Sequence, residues 1–303
     1  MNVTIIITNY NYGKFLYEAL DSLRAQSYPG MQIILVDDGS TDNSVELINM
    51  HKYNEFISKL VKKQNKGQLS CFNAALPYIE GDIVFFLDAD DVYSSDYIEK
   101  ALGFYKQNPK CDFLFCDRVF IDENGKKINK NNTKRIFPLK CEFGYTPIAA
   151  YMTNQWIGAA TSCISMKTSL LKKILPIPYE SEWITRADDC LVWGASLKLG
   201  YKCFLNEPLV QYRIHGNNYH HGKSIDIDRL YHRSVAINKL FSFLTKEYDT
   251  YQLQYLIAQE FSSLPEKKGE DLKIYLRALA KSNINNVMKA RQALSIFKNY
   301  LVR

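Results

Sequence analysis

Short, continuous apolar runs alternate with stretches of helical spacing through the first 120 residues, and that alternation leaves few folds open. Val3 to Thr8, Ile33 to Val36, Leu60-Val61, Ile83 to Leu87 and Phe113 to Phe120 read as strands. Between them, Phe15, Leu16, Ala19, Leu20 and Leu23 recur at helical spacing. A second helix begins near Ser44, and Leu69 to Leu76 and Tyr97 to Tyr105 give two more. Tyr28-Pro29-Gly30, Pro77 and Asn108-Pro109 supply the stops. Strands that are apolar without alternation are buried on both faces. The pattern therefore predicts an α/β fold, a mostly parallel sheet with helices on both faces. In such sheets ligands bind beyond the carboxyl ends of the strands. Thr8-Asn9-Tyr10-Asn11, Asp37-Asp38 and Asp88-Ala89-Asp90-Asp91 all fall at such ends, so the fold rule collects three polar clusters on one rim.

Beyond residue 120 the pattern is less regular. Gly125, Pro138, Gly144 and Pro147 mark loops. Ala160 to Met166, Tyr201 to Leu205 and Leu209 to Tyr212 read as short strands, and Leu191 to Leu199 as a helix ended by Gly200. From about residue 224 the chain reads as helical, with a break at Leu264-Pro265. The net charge of +6 belongs to this tail, because residues 221–303 hold 14 Lys and Arg against 8 Asp and Glu. The neutral body carries no recognition motif, which argues against a nucleic-acid partner. Seven scattered cysteines lack metal or redox spacing and read as buried thiols in a reducing compartment. No leader pattern and no apolar run of membrane-spanning length is present. The expectation is a cytoplasmic protein that would reach any membrane-bound acceptor from the inner face.

Each polar cluster has a chemical reading and a plainer one. Asp88 and Asp90, one residue apart at a strand end, can share a hard divalent cation, or they form an acidic turn before the next helix. Asp38 can accept from the imide N–H of a pyrimidine base, while Ser40 or Thr41 caps a helix. Tyr10 can stack on a base or sit at the core edge. Asp188-Asp189 opens a helix, as a general base or as acid favoured at a helix N-terminus. Arg213 can clamp a phosphate, and His215 can bind metal or phosphate or, with His220 and His221, lie in an exposed loop. Trp183 can stack on a sugar ring or simply pack.

Taken in order, Thr8-Asn9-Tyr10-Asn11, Val36-Asp37-Asp38-Gly39-Ser40, Asn65-Lys66-Gly67-Gln68 with Asn73, Asp88-Ala89-Asp90-Asp91 and Asp188-Asp189 resemble the family 2 glycosyltransferases of the GT-A fold, over about residues 1–220. The resemblance implies a nucleotide-diphospho-sugar donor (a UDP-sugar first), a divalent metal (Mn²⁺ or Mg²⁺) and inversion at the anomeric carbon. Thr8, Tyr10 and Asp38 would then hold the base, with Lys66, Gly67 and Asn73 near the nucleotide. Asp88 would face the ribose or the metal shell, Asp90 would bind the metal, and His215 would lie near the metal or the diphosphate. Asp189, the second acid of its pair, would be the base, and Asp188 stands where the family often has Glu. The processive Gln-x-x-Arg-Trp motif is absent, since Gln211-Tyr212-Arg213 does not match it. Addition of one sugar per encounter to a glycan or lipid-linked glycan follows, in cell-surface polysaccharide or glycolipid synthesis of bacterial type.

The expected organisation is a catalytic domain over 1–220, with a nucleotide-binding half (1–120) and an acceptor-binding half (121–220), then a basic helical region over 221–303. Val287, Ala290, Leu294, Phe297 and Leu301 share one helix face, flanked by Lys289, Arg291, Lys298 and Arg303. That face either contacts an anionic membrane through residues 272–303 or docks on the body. Two rivals remain: a sugar nucleotidyltransferase and a non-catalytic nucleotide-sugar-binding protein of the same fold. A dinucleotide enzyme fails for want of Gly-x-Gly-x-x-Gly after the first strand. A P-loop fails because Gly216 lies one residue too far from Gly222-Lys223-Ser224.

Overall fold

The computed structural model describes residues 1–49, 51–128, 141–216 and 227–302. Pro138, His220, His221, Gly222 to Ser224 and Arg303, discussed above, lie outside the described residues. Strand β1 (Val3–Asn9) leads into α1 (Gly13–Arg24), β2 (Gln32–Asp37), α2 (Ser44–Ile48), α3 (His51–Asn54), β3 (Lys59–Lys62), α4 (Gln68–Ala75) and β4 (Ile83–Asp88). Next come β5 (Val92–Tyr93), α5 (Tyr97–Gln107), β6 (Phe113–Ile121), β7 (Lys127–Ile128), β8 (Glu142–Gly144) and α6 (Pro147–Thr153). They are followed by β9 (Ile164–Lys167), α7 (Thr168–Ile174), α8 (Asp188–Leu197) and β10 (Lys202–Arg213). Five helices follow: α9 (Ile227–Thr245), α10 (Thr250–Leu253), α11 (Ile257–Ser263), α12 (Gly269–Lys281) and α13 (Asn286–Leu301).

One sheet runs in the order β3-β2-β1-β4-β9-β6-β10-β5, with β7 on β6 and β8 on β10. β3, β2, β1 and β4 are parallel, as are β6 and β10, while β9 lies antiparallel between β4 and β6. Every residue of β1 is buried, which is why Val3-Thr4-Ile5-Ile6-Ile7 shows no alternation. Leu16, Ala19, Leu20 and Leu23 of α1 are buried in the same core.

Three local expectations change. The two short strands over Tyr201 to Tyr212 are one strand, β10, whose register on β6 shifts on either side of Pro208; proline has no N–H for the ladder, so pairing breaks there without ending the strand. Only Ile164–Lys167 of the segment from Ala160 is strand, preceded by a 3₁₀ turn at Thr161–Cys163 that supplies side chains to the site. Trp183 is only 2% exposed within the main core, so it packs and offers no face to a sugar. All seven cysteines are free thiols, with Cys141 alone exposed.

Two hydrophobic cores divide the chain later than residue 220. Ala236, Leu240, Phe241 and Leu244 of α9 belong to the core of the sheet. The second core begins with Ile257 and joins Phe261, Tyr275, Leu279 and Ile296 to Ile148 and Ala149 of α6. The apolar face of α9 is thus buried in the core of the sheet and not in the second core.

Glu260 ties α11 to α6 and α12 within the second core. Its carboxylate accepts from Ile148 N (2.9 Å) and Ala149 N (3.1 Å), closing the first turn of α6, and from the Tyr275 hydroxyl (2.7 Å). Burial pushes its pKa up from 4.5 to about 7 even though these donors pull it down. Glu260→Ala leaves three buried donors unpaired and is expected to cost on the order of 2 kcal/mol in urea unfolding. The folded state holds this proton more tightly than the unfolded chain. The carboxyl's contribution to stability therefore falls as pH rises from about 4.5 to about 7, and Glu260→Gln should flatten that slope. An unchanged midpoint for the Ala variant would show that α6 needs no cap from α11.

Candidate active site

Strand register assembles the rim. Asn9 is paired with Asp37, and Thr8 with Asp88, so the ends of β1, β2 and β4 lie side by side. Beyond them opens a cavity of about 360 Å³, whose wall includes Thr8, Tyr10, Asp38, Asp88, Asp90 and Asp188.

The two aspartates after β2 have separate jobs. Asp37 turns inward, accepting from Asn9 Nδ2 (2.8 Å), Ser40 N (3.0 Å) and Ser40 Oγ (2.6 Å), and so fixes the turn. Asp38 faces the loop before α4, accepting from Lys66 N (3.1 Å), Gly67 N (2.8 Å) and the Lys63 ammonium. Gly67 has φ +85°, and a Cβ there would lie 2.2 Å from Ile184 Cα, so only glycine permits this close approach. Lys66 contributes its amide while its side chain is exposed. Asn73 lies off the wall, its amide engaged with Ile177 and Glu180. Tyr10 is 45% exposed at the mouth, open to a stacking partner.

Asp88, Asp90 and Asp91 bring carboxylate oxygens within 4.8 Å of one another. Asp91 is consumed structurally: it accepts from Arg213 N (2.9 Å) and from the Ser162 hydroxyl (2.6 Å). Asp88 accepts from Thr8 Oγ1 (3.1 Å) and Gln68 Nε2 (2.6 Å). Asp90 Oδ2 lies 3.0 Å from His215 Nε2, and the imidazole is wedged against Tyr12 and Phe15. Burial, then the charges of Asp90 and Asp188, raise Asp88 to about 8, and burial with Asp90 raises Asp91 well above the carboxylate range. Crowded carboxylates beside an imidazole make a donor set suited to a divalent cation.

Arg213 does not reach for phosphate. It is fully buried and donates from Nε to Asp90 O (2.8 Å) and from Nη2 to Glu18 Oε2 (2.6 Å). It therefore sets the backbone on which Asp90 sits.

The acid pair of α8 separates in the same way. Asp188 is half-buried on the cavity wall, and burial followed by the charge of Asp189 raises its pKa to about 7. Asp189, 0% exposed, is not part of the cavity wall, and its carboxylate lies 3.3 Å from Arg186 Nε and 2.8 Å from Arg233 Nη2. One step along a helix turns a side chain by about 100°, and Asp188 accordingly lines the cavity while Asp189 does not.

Sequence reading missed several groups. Gln68 bridges the metal-type cluster to α8, donating to Asp88 and accepting from Ala187 N (3.2 Å). Lys63, Arg186 and Arg233 balance Asp38 and Asp189. Gln68 lies inside a motif already singled out. Arg233 gave no signal, because only folding brings α9 to α8.

The model of the glycosyl transferase family 2 matches residues 4–175, and the chain belongs to that family. An uncharacterised glycosyltransferase of Nostoc sp. is 32% identical over 73% of this chain and 67% of its own length. A Bacillus subtilis glycosyltransferase assigned provisionally to teichuronic acid biosynthesis, TuaG, is 26% identical over 71% of this chain and 80% of its own. Residues 1–349 of S. aureus TarS, solved with UDP-GlcNAc, share the fold with a TM-score of 0.60 at 18% identity, covering 99% of this chain and 81% of that one. The chain is a family 2 glycosyltransferase with the GT-A fold.

Proposed function

We propose that this enzyme moves one sugar from a UDP-sugar to a hydroxyl of a glycan or lipid-linked glycan, with inversion. The observation that carries this reading is one cavity lined by Tyr10 and Asp38, by the Asp88–Asp90 cluster and, from α8, by Asp188. The TarS structure holds UDP-GlcNAc, and TuaG is assigned to a cell-wall polymer pathway, which supports a UDP donor and a cell-surface acceptor.

Tyr10 stacks on the base, and Asp38 holds the Lys66-Gly67 backbone against its edge. A divalent cation held by Asp88 and Asp90, with His215 beside them, would neutralise charge on the departing diphosphate. Thr8 and Gln68 fix the carboxylate of Asp88. Asp188 takes the proton of the acceptor hydroxyl as it attacks C1 from the face opposite the leaving group, and UDP departs. Asp189 is a positioning residue: its ion pairs with Arg186 and Arg233 hold the first turn of α8, and with it Asp188. This reverses the roles that the family resemblance implies for the two acids.

Calorimetric titration with UDP, dTDP, GDP and CDP, with and without Mn²⁺, tests the site. Metal-dependent binding of UDP ahead of the others is expected. No binding of any nucleotide to the folded protein would overturn the donor reading, and release of pyrophosphate in place of UDP would favour a nucleotidyltransferase.

A further inference from the structure

Helix α13 has two apolar faces, and among the described residues only one is covered. Ile296 and Gln292 are buried against the second core, with Met288, Ala293 and Tyr300 packed around them. Across the helix, Val287 (64% exposed), Leu294 (71%), Phe297 (44%) and Leu301 (78%) line up in solvent with Ala290. At 100° per residue these five positions fall within one strip opposite Ile296. A docked helix ordinarily turns polar side chains outward, so a second apolar strip marks a contact surface.

Charge identifies what fits it. Arg291 and Lys298 are exposed along one edge of the strip. No acidic residue follows Asp271, and Lys273, Arg277 and Lys281 of α12 add to the same sign. Two copies meeting strip to strip would bring these cations together with no carboxylate of α13 to offset them. An anionic lipid surface satisfies both features, taking the apolar strip into the acyl boundary and the cations at the headgroups.

We propose that α13 seats this protein on an anionic membrane through Val287, Ala290, Leu294, Phe297 and Leu301, with Arg291 and Lys298 at the phosphates. The proposal is independent of which donor or acceptor the active site takes. None of these side chains belongs to the catalytic cavity, and none supports the docked face.

The test is co-sedimentation of the full chain with vesicles of phosphatidylcholine alone and of phosphatidylcholine mixed with phosphatidylglycerol. Binding to the mixed vesicles only, weakened by salt, is expected. Arg291→Glu with Lys298→Glu should lower partitioning at least roughly tenfold, and Leu294→Ser with Leu301→Ser should do the same. Both double variants alter exposed positions, so thermal midpoints matching the parent confirm that folding is unaffected. Equal partitioning of parent and both variants overturns the proposal, as does absence of binding to the mixed vesicles. Self-association that the Leu294→Ser, Leu301→Ser variant abolishes, without vesicle binding, would assign the strip to a second copy and also overturn it.

Discussion

Replacing Asp188 by Asn is expected to lower kcat on the order of 10²–10⁴-fold while leaving UDP affinity within a few-fold, because in the proposed mechanism the lost group acts only as proton acceptor. Asp189→Asn has a different signature. It leaves Arg186 and Arg233 facing a neutral amide, so the fold weakens together with activity. Breaking a fully buried pair costs about 3–5 kcal/mol, and the lower end applies here because both guanidinium groups are about a third exposed. Thermal unfolding and initial rates on the two variants separate the roles. A fully active Asp188→Asn beside an inactive, normally stable Asp189→Asn would exchange them.

Proton linkage gives the same prediction a pH axis. Burial and the neighbouring charge of Asp189 raise Asp188 to about 7, so the basic form accumulates as pH rises through that value. The acid limb of kcat/KM should therefore fall below about pH 7 and vanish from the residual rate of Asp188→Asn. For stability the sign is opposite to that of a salt-bridged carboxylate. The folded state binds this proton more tightly than the unfolded chain, so the group's contribution declines as pH rises from about 4 to about 7.

The second large effect concerns Asp90. Asp90→Ala is expected to abolish the Mn²⁺-dependent part of UDP binding and to reduce transfer on the order of 10³-fold, the several kcal/mol that a cation supplies to a developing diphosphate charge. A chelator should bring the parent enzyme down to the variant's level and leave the variant unchanged. Asp91→Ala should behave otherwise: it removes the acceptor for Arg213 N and Ser162 Oγ, so its main effect is on folding. Metal-dependent UDP binding that survives Asp90→Ala would move the cation to other ligands.

The strand-end wall of the cavity was legible because its residues follow apolar runs. Thr8, Asp38 and Asp88 follow directly from three apolar runs, and parallel register must then bring them together. Gly67 was legible as a motif, although its reason, the backbone of Ile184 at van der Waals contact, was not. The side formed by α8 was harder. Neither spacing nor composition distinguishes Asp188 from Asp189, Asn73 from Gln68, or a buried Arg213 from a phosphate clamp, since each choice depends on which neighbour a side chain meets.

Local patterning was enough to determine an α/β sheet with acids on one rim, because burial on both faces keeps charged side chains out of β1, β2 and β4 until their carboxyl ends. It also determined the basic, amphipathic character of α13. Only tertiary structure decided that α9 packs into the core of the sheet, that Arg233 returns from it to pair with Asp189, and that the apolar strip of α13 faces away from its own core. Those outcomes depend on contacts between segments far apart in sequence, which periodicity within one segment cannot encode.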